Sequence, residues 1–140
     1  MSQEELKQKV LNLLDEQKVG TLATVEQDKP HTRYMTFFHE GLTLYTPTSK
    51  ETHKADEIEK NPNVHILIGY SGEGFGDTYA EIAGNATLTD DPELIDRLWS
   101  DEMEKWFKGK EDPNLVILKI EPTSIRYMNE GSRTPAELSL

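Results

Sequence analysis

Apolar positions open the chain at helical spacing: Leu6, Val10, Leu13 and Leu14 follow a Ser2-x-x-Glu5 pattern. An S-x-x-E pattern ahead of an apolar stripe is an N-terminal capping box, so a helix is predicted from the start to about Gln17. Its stripe is narrow, which places it on the surface of a sheet. The period then shortens to that of β-strands. Residues 19–25 (VGTLATV), 32–39 and 42–46 are β-type runs. They are separated by the turn residues Gln27-Asp28-Lys29-Pro30 and Glu40-Gly41. Connections this short imply antiparallel hairpins. Residues 52–60 read as a short helix stopped by Asn61-Pro62. Residues 64–70 (VHILIGY) are almost continuously apolar, as a central strand would be.

The second half repeats the scheme. A glycine-rich loop over 71–76 leads into a long strand, 78–89, in which Gly84 marks a bulge or bend. Asp90 and Asp91 ahead of Pro92 start a helix. It is expected to run to about Phe107 and to carry Leu94, Ile95, Leu98, Trp99, Met103 and Trp106. Residues 115–120 and 124–128 form a last strand, broken at Glu121-Pro122. From Asn129 the chain is polar without a period, so 129–140 is expected to be a loose tail behind a single domain, 1–128. Six strands with hairpin connections and small helices make the fold mainly β, a closed or split antiparallel barrel with helices over its openings.

Composition narrows the function classes. The chain has 140 residues and a net charge of −11, which opposes encounter with nucleic acid or an anionic membrane. It has no cysteine, which excludes disulfides, thiolate catalysis and cysteine-bound metals and fits a reducing cytoplasm. The start, MSQEELKQK, is polar and is not a signal peptide. No apolar run approaches the roughly 20 residues of a membrane span.

One stretch departs from the acidic average. Residues 28–54 hold Lys29, Arg33, Lys50 and Lys54 against Asp28, Glu40 and Glu51, a net +1. Three of the four histidines, His31, His39 and His53, lie there too. Lys50 and Lys54 are spaced i, i+4 at the start of the short helix, with Thr46, Thr48, Ser49 and Thr52 supplying hydroxyls. Ammonium, guanidinium, hydroxyls and a helix start are the parts of a phosphate site. The alternative is a solvated surface with ordinary pairing to Glu51 and Glu57. Gly72-x-Gly74-x-Gly76 is not a dinucleotide fingerprint, because no βαβ unit surrounds it. The histidines lack H-x-x-x-H or H-E-x-x-H spacing, so no metal site is predicted, and His65 reads as a core histidine. Trp99, Met103 and Trp106 are expected on one helix, as packing or as an aromatic edge near a planar ligand.

The ordered set VGTLATV, RYMTFF, LYTPTSK-x-x-x-KADEIEKNP-x-V and YAEIAGNATL resembles the pyridoxamine 5′-phosphate oxidase-like FMN-binding split barrels, and among them the general stress protein 26 branch. The resemblance spans residues 3–128. It implies a six-stranded split barrel acting as a homodimer, with FMN, or FAD if the mouth is open, at the interface. Arg33, Tyr34, Met35 and Thr36 would run along the flavin, with Tyr45 and Thr46 at the end of the third strand. Ser49, Lys50, Thr52, His53 and Lys54 would receive the phosphate, and Trp99 or Trp106 of the second copy would border the ring. The implied activity is that of a cytoplasmic, stress-related FMN-dependent oxidoreductase, with NAD(P)H as a candidate donor. A flavin-binding or flavin-buffering module without turnover is the alternative. True pyridoxamine phosphate oxidases end in R-x-H; the end here, SIRYMNEGSRTPAELSL, has no histidine, which argues against vitamin B6 oxidation.

Overall fold

The helix read from the first apolar stripe is α1, Gln3–Glu16, and its cap is the expected one: Ser2 Oγ accepts from the Glu5 N–H at 3.1 Å. Leu6, Val10, Leu13 and Leu14 are buried against the sheet. The structure, a computed structural model, describes residues 1–72, 74, 77–131 and 134–140, with the backbone alone at His53. The strands are β1 Val19–Glu26, β2 Lys29–Thr36, β3 Phe38–Glu40, β4 Thr43–Ser49, β5 Asn63–Gly69, β6 Tyr79–Thr89, β7 Leu115–Met128 and β8 Ala136–Leu138. The helices α2, His53–Lys60, and α3, Pro92–Leu98, and a 3₁₀ turn, Asp101–Lys105, lie between them. All pairings are antiparallel, in the order β2-β1-β5-β6-β7-β4-β3, with β8 beside β7. The sheet curls into a half-barrel. Its two outer arms meet where Thr46 Oγ1 donates to the Thr36 carbonyl at 2.7 Å.

The split-barrel architecture is as expected, but the described residues form eight strands rather than six. The expected strand 32–39 divides at Phe37, whose side chain is buried and whose N–H turns to the Lys18 carbonyl. The β1–β2 turn has positive φ at both Gln27 and Asp28, the twist a two-residue hairpin requires.

β5 is central, between β1 and β6, yet only Val64, Ile66 and Ile68 are buried. His65 therefore is not a core histidine; it lies on the open face with Glu81 at 3.8 Å. β7 is continuous. Its expected break is a bulge: Ala83 pairs with Ser124 and Gly84 with Pro122, leaving Thr123 extra. Gly84 is required there, because a Cβ would stand 2.7 Å from the Glu121 carbonyl oxygen.

Two further expectations are corrected. The helix after Pro92 stops at Leu98, and Trp99 takes an extended ψ of 131° before the chain re-enters the 3₁₀ turn. Leu94, Ile95 and Leu98 already fill the outer layer against Leu115 and Ile117, so the chain turns back and lays Met103 across the sheet. Trp99, Met103 and Trp106 thus do not share one helix. The chain end is not loose. β8 takes the edge of β7 beyond the end of β4, and Leu138, 4% exposed, enters the main core. Gln3 clamps it, donating to the Glu137 carbonyl and accepting from the Ser139 N–H. Glu73, Phe75 and Gly76 of the glycine loop, and Ser132 and Arg133, lie outside the described residues. Among the described residues no helix is long and apolar enough to cross a membrane.

Candidate functional site

A cavity of about 470 Å³ opens at the split, between the ends of β2 and β4, the start of α2 and the 3₁₀ turn. That size is ordinary for a small-molecule site. Each wall follows from local structure. β2 is the outer strand, so Tyr34, Met35 and Thr36 are free on the side away from β1. β4 contributes Thr46, Pro47, Thr48 and Ser49, held in register by β7. Thr52 caps α2, and Lys54 lies on its first turn. The 3₁₀ turn and the residues after it bring Glu102, Met103, Trp106 and Phe107.

The cavity is polar at one end. Lys54 Nζ donates to Thr48 Oγ1 at 2.7 Å, and Thr52 Oγ1 donates to the Ser49 carbonyl at 3.0 Å. Among the described residues no carboxylate lies within ion-pair distance of Lys54. Burial, and then the nearby Arg33 charge, push the Lys54 ammonium below the ordinary lysine range, with Glu57 opposing them. The other end is lined by Met35, Phe38, Met103, Phe107 and the indole of Trp106, which is 83% exposed, with the Glu102 carboxylate beside them on the 3₁₀ turn.

Behind the polar end lies a buried ion pair. Glu57, 3% exposed, reaches from α2 to the β1–β2 hairpin. Its Oε2 accepts from the Thr24 hydroxyl and from Arg33 Nη2 at 3.1 Å, while Arg33 Nη1 donates to Thr24 Oγ1 at 2.7 Å. Burial alone would raise the Glu57 carboxyl; Thr24, Arg33 and His31 outweigh it and hold it below the ordinary glutamate range. Glu26, His31 and Glu57 also offer atoms within 4.8 Å of one another, a possible metal grouping by distance. Glu57 Oε2 is committed to Arg33 and Thr24, while its Oε1 faces His31 Nδ1 at 3.9 Å.

The family model described as Pyridoxamine 5′-phosphate oxidase matches residues 6–129 of this chain. The chain belongs to the pyridoxamine 5′-phosphate oxidase family. It is 65% identical to General stress protein 26 of Bacillus subtilis (strain 168), over all of both chains. The crystal structure of General Stress Protein 26 from Bacillus anthracis superposes with a TM-score of 0.86 at 38% identity, covering 96% of this chain and 98% of that one. A general stress FMN/FAD binding protein from Xanthomonas citri gives a TM-score of 0.80 at 26% identity, over 98% and 97%.

In this family member the sequence-predicted residues divide. Tyr34, Met35, Thr36, Thr46, Ser49, Thr52, Lys54 and Trp106 come together on the cavity wall. Arg33 stands behind the wall in the Glu57 network. Lys50 points away, to Asp90 at 3.5 Å, in a separate shallow depression. The reason is helical: the i, i+4 argument needs a helix through both lysines, and α2 begins only at His53. Tyr45 is buried in the core cluster around Met103 and does not line the cavity; burial and the Glu40 carboxylate raise its hydroxyl pKa. Trp99 packs on the outer layer beneath α3. The His53 side chain lies outside the described residues. The cavity also contains Val19, Phe38, Pro47, Glu102 and Phe107, none of which the sequence reading placed there, together with Thr48 and Met103. Thr48 was legible as a hydroxyl in the basic stretch. Met103 was legible beside Trp106; Phe38, Glu102 and Phe107 carried no signal, because the split at Phe37 and the break at Trp99 bring them in.

Proposed function

We propose that this protein binds FMN in the cavity at the split, with FAD accepted where the mouth is open, and acts as a cytoplasmic flavin-dependent oxidoreductase. The observation that carries the reading is the polarity of the cavity. A half-buried ammonium facing hydroxyls stands at one end, and thioether and aromatic groups stand at the other. A phosphorylated planar ring has the same two ends. Charge-assisted hydrogen bonds from Lys54 to a phosphate each contribute about 1.5–3 kcal/mol. Met35, Met103 and Trp106 suit the faces of an aromatic ring. Family membership and the flavin-binding description of the Xanthomonas citri relative support the same assignment.

A bound flavin supplies hydride and electron transfer at its ring, and the protein supplies binding, orientation and electrostatics. Lys54 and the hydroxyls of Thr48, Ser49 and Thr52 hold the anionic end. Tyr34, 80% exposed, and Trp106 leave the ring end open on one side. A second copy of the chain covering that rim would complete the site as a homodimer and shield the ring from water. NAD(P)H is the proposed donor.

The test is the visible spectrum of the purified protein, before and after FMN addition and gel filtration. Flavin bands co-eluting with protein are the expected result; failure to retain FMN overturns the reading. Bleaching by NAD(P)H with reoxidation by an acceptor identifies an oxidoreductase. Tight binding without bleaching identifies a flavin-holding module.

A further inference from the structure

We propose that the tip of the β1–β2 hairpin and α2 together form a site for a divalent transition cation of the zinc class, with Glu26, His31 and Glu57 as its ligands. None of the three lines the cavity at the split, and the site stands independently of the flavin reading.

Such a grouping is invisible as a spacing in the chain, because its ligands come from a hairpin and a helix rather than from one helix. In the hairpin Thr24 faces His31 and Glu26 faces Lys29. Leu22 and Thr24 are fully buried, so strand alternation puts Glu26 on the same inner face, diagonal to His31. α2 packs against that face, and Glu57 reaches it from the helix. One ligand atom from each of the three residues lies within 4.8 Å of the other two.

An unused acceptor marks where the ion would sit. Glu57 Oε2 takes both the Thr24 hydroxyl and Arg33 Nη2, whereas Oε1 accepts no hydrogen bond among the described residues. Oε1 faces His31 Nδ1 at 3.9 Å, beyond hydrogen-bond reach. A carboxylate oxygen on a buried side chain is costly to leave without a positive partner. Two ligand atoms on a tetrahedral zinc, each about 2.1 Å from it, stand about 3.4 Å apart. The His31 side chain, 47% exposed, has the freedom to close that difference. The bonds at Oε2 are what a ligating carboxylate needs behind it, because they fix its rotamer and leave one oxygen forward. Burial opposes ionisation of this carboxyl, and the Thr24 and Arg33 bonds outweigh it, so it ligates without first losing a proton.

Charge and ligand type agree with this choice of ion. Glu26 and Glu57 against Arg33 leave one net negative charge where the ligand atoms converge. Lys29 is exposed and forms no ion pair among the described residues. An imidazole beside two carboxylates, in a chain without thiols, suits zinc-class ions better than Ca²⁺ or Mg²⁺, which take oxygen ligands. Three protein ligands leave a further position to water on the side where His31 meets solvent. A bound ion ties the hairpin tip to α2, the helix whose first turn brings Lys54 to the cavity.

The test is calorimetric titration of Zn²⁺ into the full chain, free of any histidine tag, for wild type, His31→Ala, Glu26→Gln and His65→Ala. Wild type should take one Zn²⁺ per chain. His31→Ala and Glu26→Gln should bind it at least about tenfold more weakly. His65→Ala, which removes the open-face histidine near Glu81, should bind as wild type does. Neither His31 nor Glu26 is buried, so both variants keep the fold. Zn²⁺ should also raise the thermal midpoint of wild type and leave that of His31→Ala in place. No Zn²⁺ binding by wild type overturns the proposal, and so does a His31→Ala protein that binds as tightly as wild type. One Zn²⁺ per two chains marks an ion shared between surfaces and overturns it as well. Ca²⁺ held as tightly as Zn²⁺ removes the imidazole from the ligand set, with the same consequence.

Discussion

Single side chains set the chemistry of the cavity, and Lys54 is the one whose removal should matter most. Lys54→Ala should weaken FMN binding at least about tenfold, the loss of one charge-assisted contact, as read by fluorescence titration. Lys50→Ala should change it little, because Lys50 faces Asp90 outside the cavity. Trp106 stands on the cavity wall and Trp99 beneath α3. Trp99→Phe should therefore leave a tryptophan strongly quenched by bound flavin, and Trp106→Phe one quenched weakly; equal quenching would remove Trp106 from the site. Glu57 gives a pH dependence of stability. Its folded pKa lies below the ordinary value of 4.5, so the unfolded chain takes up the proton first. Its stabilisation is present above that value and is lost as pH falls through the folded pKa. Urea midpoints measured across that range should fall more steeply for wild type than for Glu57→Gln.

At the scale of elements, local signals were read correctly where they acted locally. The Ser2 cap, the Asp91-Pro92 start of α3 and the Gly84 irregularity are all where the sequence put them, because caps, proline and tight backbone approach act within a few residues. Gly84→Ala should cost about 1–3 kcal/mol by forcing apart the bulge and the Glu121 carbonyl, measured as a loss in denaturation midpoint. Misreadings came where a distant partner decides. Residues 136–138 have no strand signal of their own, and they become β8 because β7 outruns β4 and offers an unpaired edge. Leu138→Ala should destabilise the fold by about 2–5 kcal/mol, well beyond what a loose tail would lose. The length of α3 was overestimated for a related reason: the apolar period continues past Leu98, but the layer it packs on is already full.

Across the whole molecule, the curled sheet creates a site that no segment contains. β2 and β4 are the arms on either side of the split, and they are not paired with one another as strands but joined by the Thr46 hydroxyl at the Thr36 carbonyl. Its rim exposes Val19, Tyr34 and Trp106, large apolar side chains clustered at one mouth. A second copy seated there should make the protein sediment at about 32 kDa, twice the 16.0 kDa of the chain. FMN retained by a monomer would exclude a site completed across the interface. Against a net charge of −11, residues 28–54 carry a net +1.

The sequence alone determined the family, the barrel class and the hydroxyl-rich basic corner. These rest on periodicity, turn chemistry and the order of motifs, all properties of neighbouring residues. It also singled out Lys54 and the β2 residues 34–36, which the structure brings to the cavity wall. Which charges face the cavity was decided only by the tertiary structure. Arg33 and Lys50 look equivalent in the chain, yet one is locked to a buried carboxylate and the other turned toward Asp90. Charge is carried by residue type, but its direction depends on where a helix begins and on what lies across the sheet. Both are consequences of packing between segments far apart in sequence.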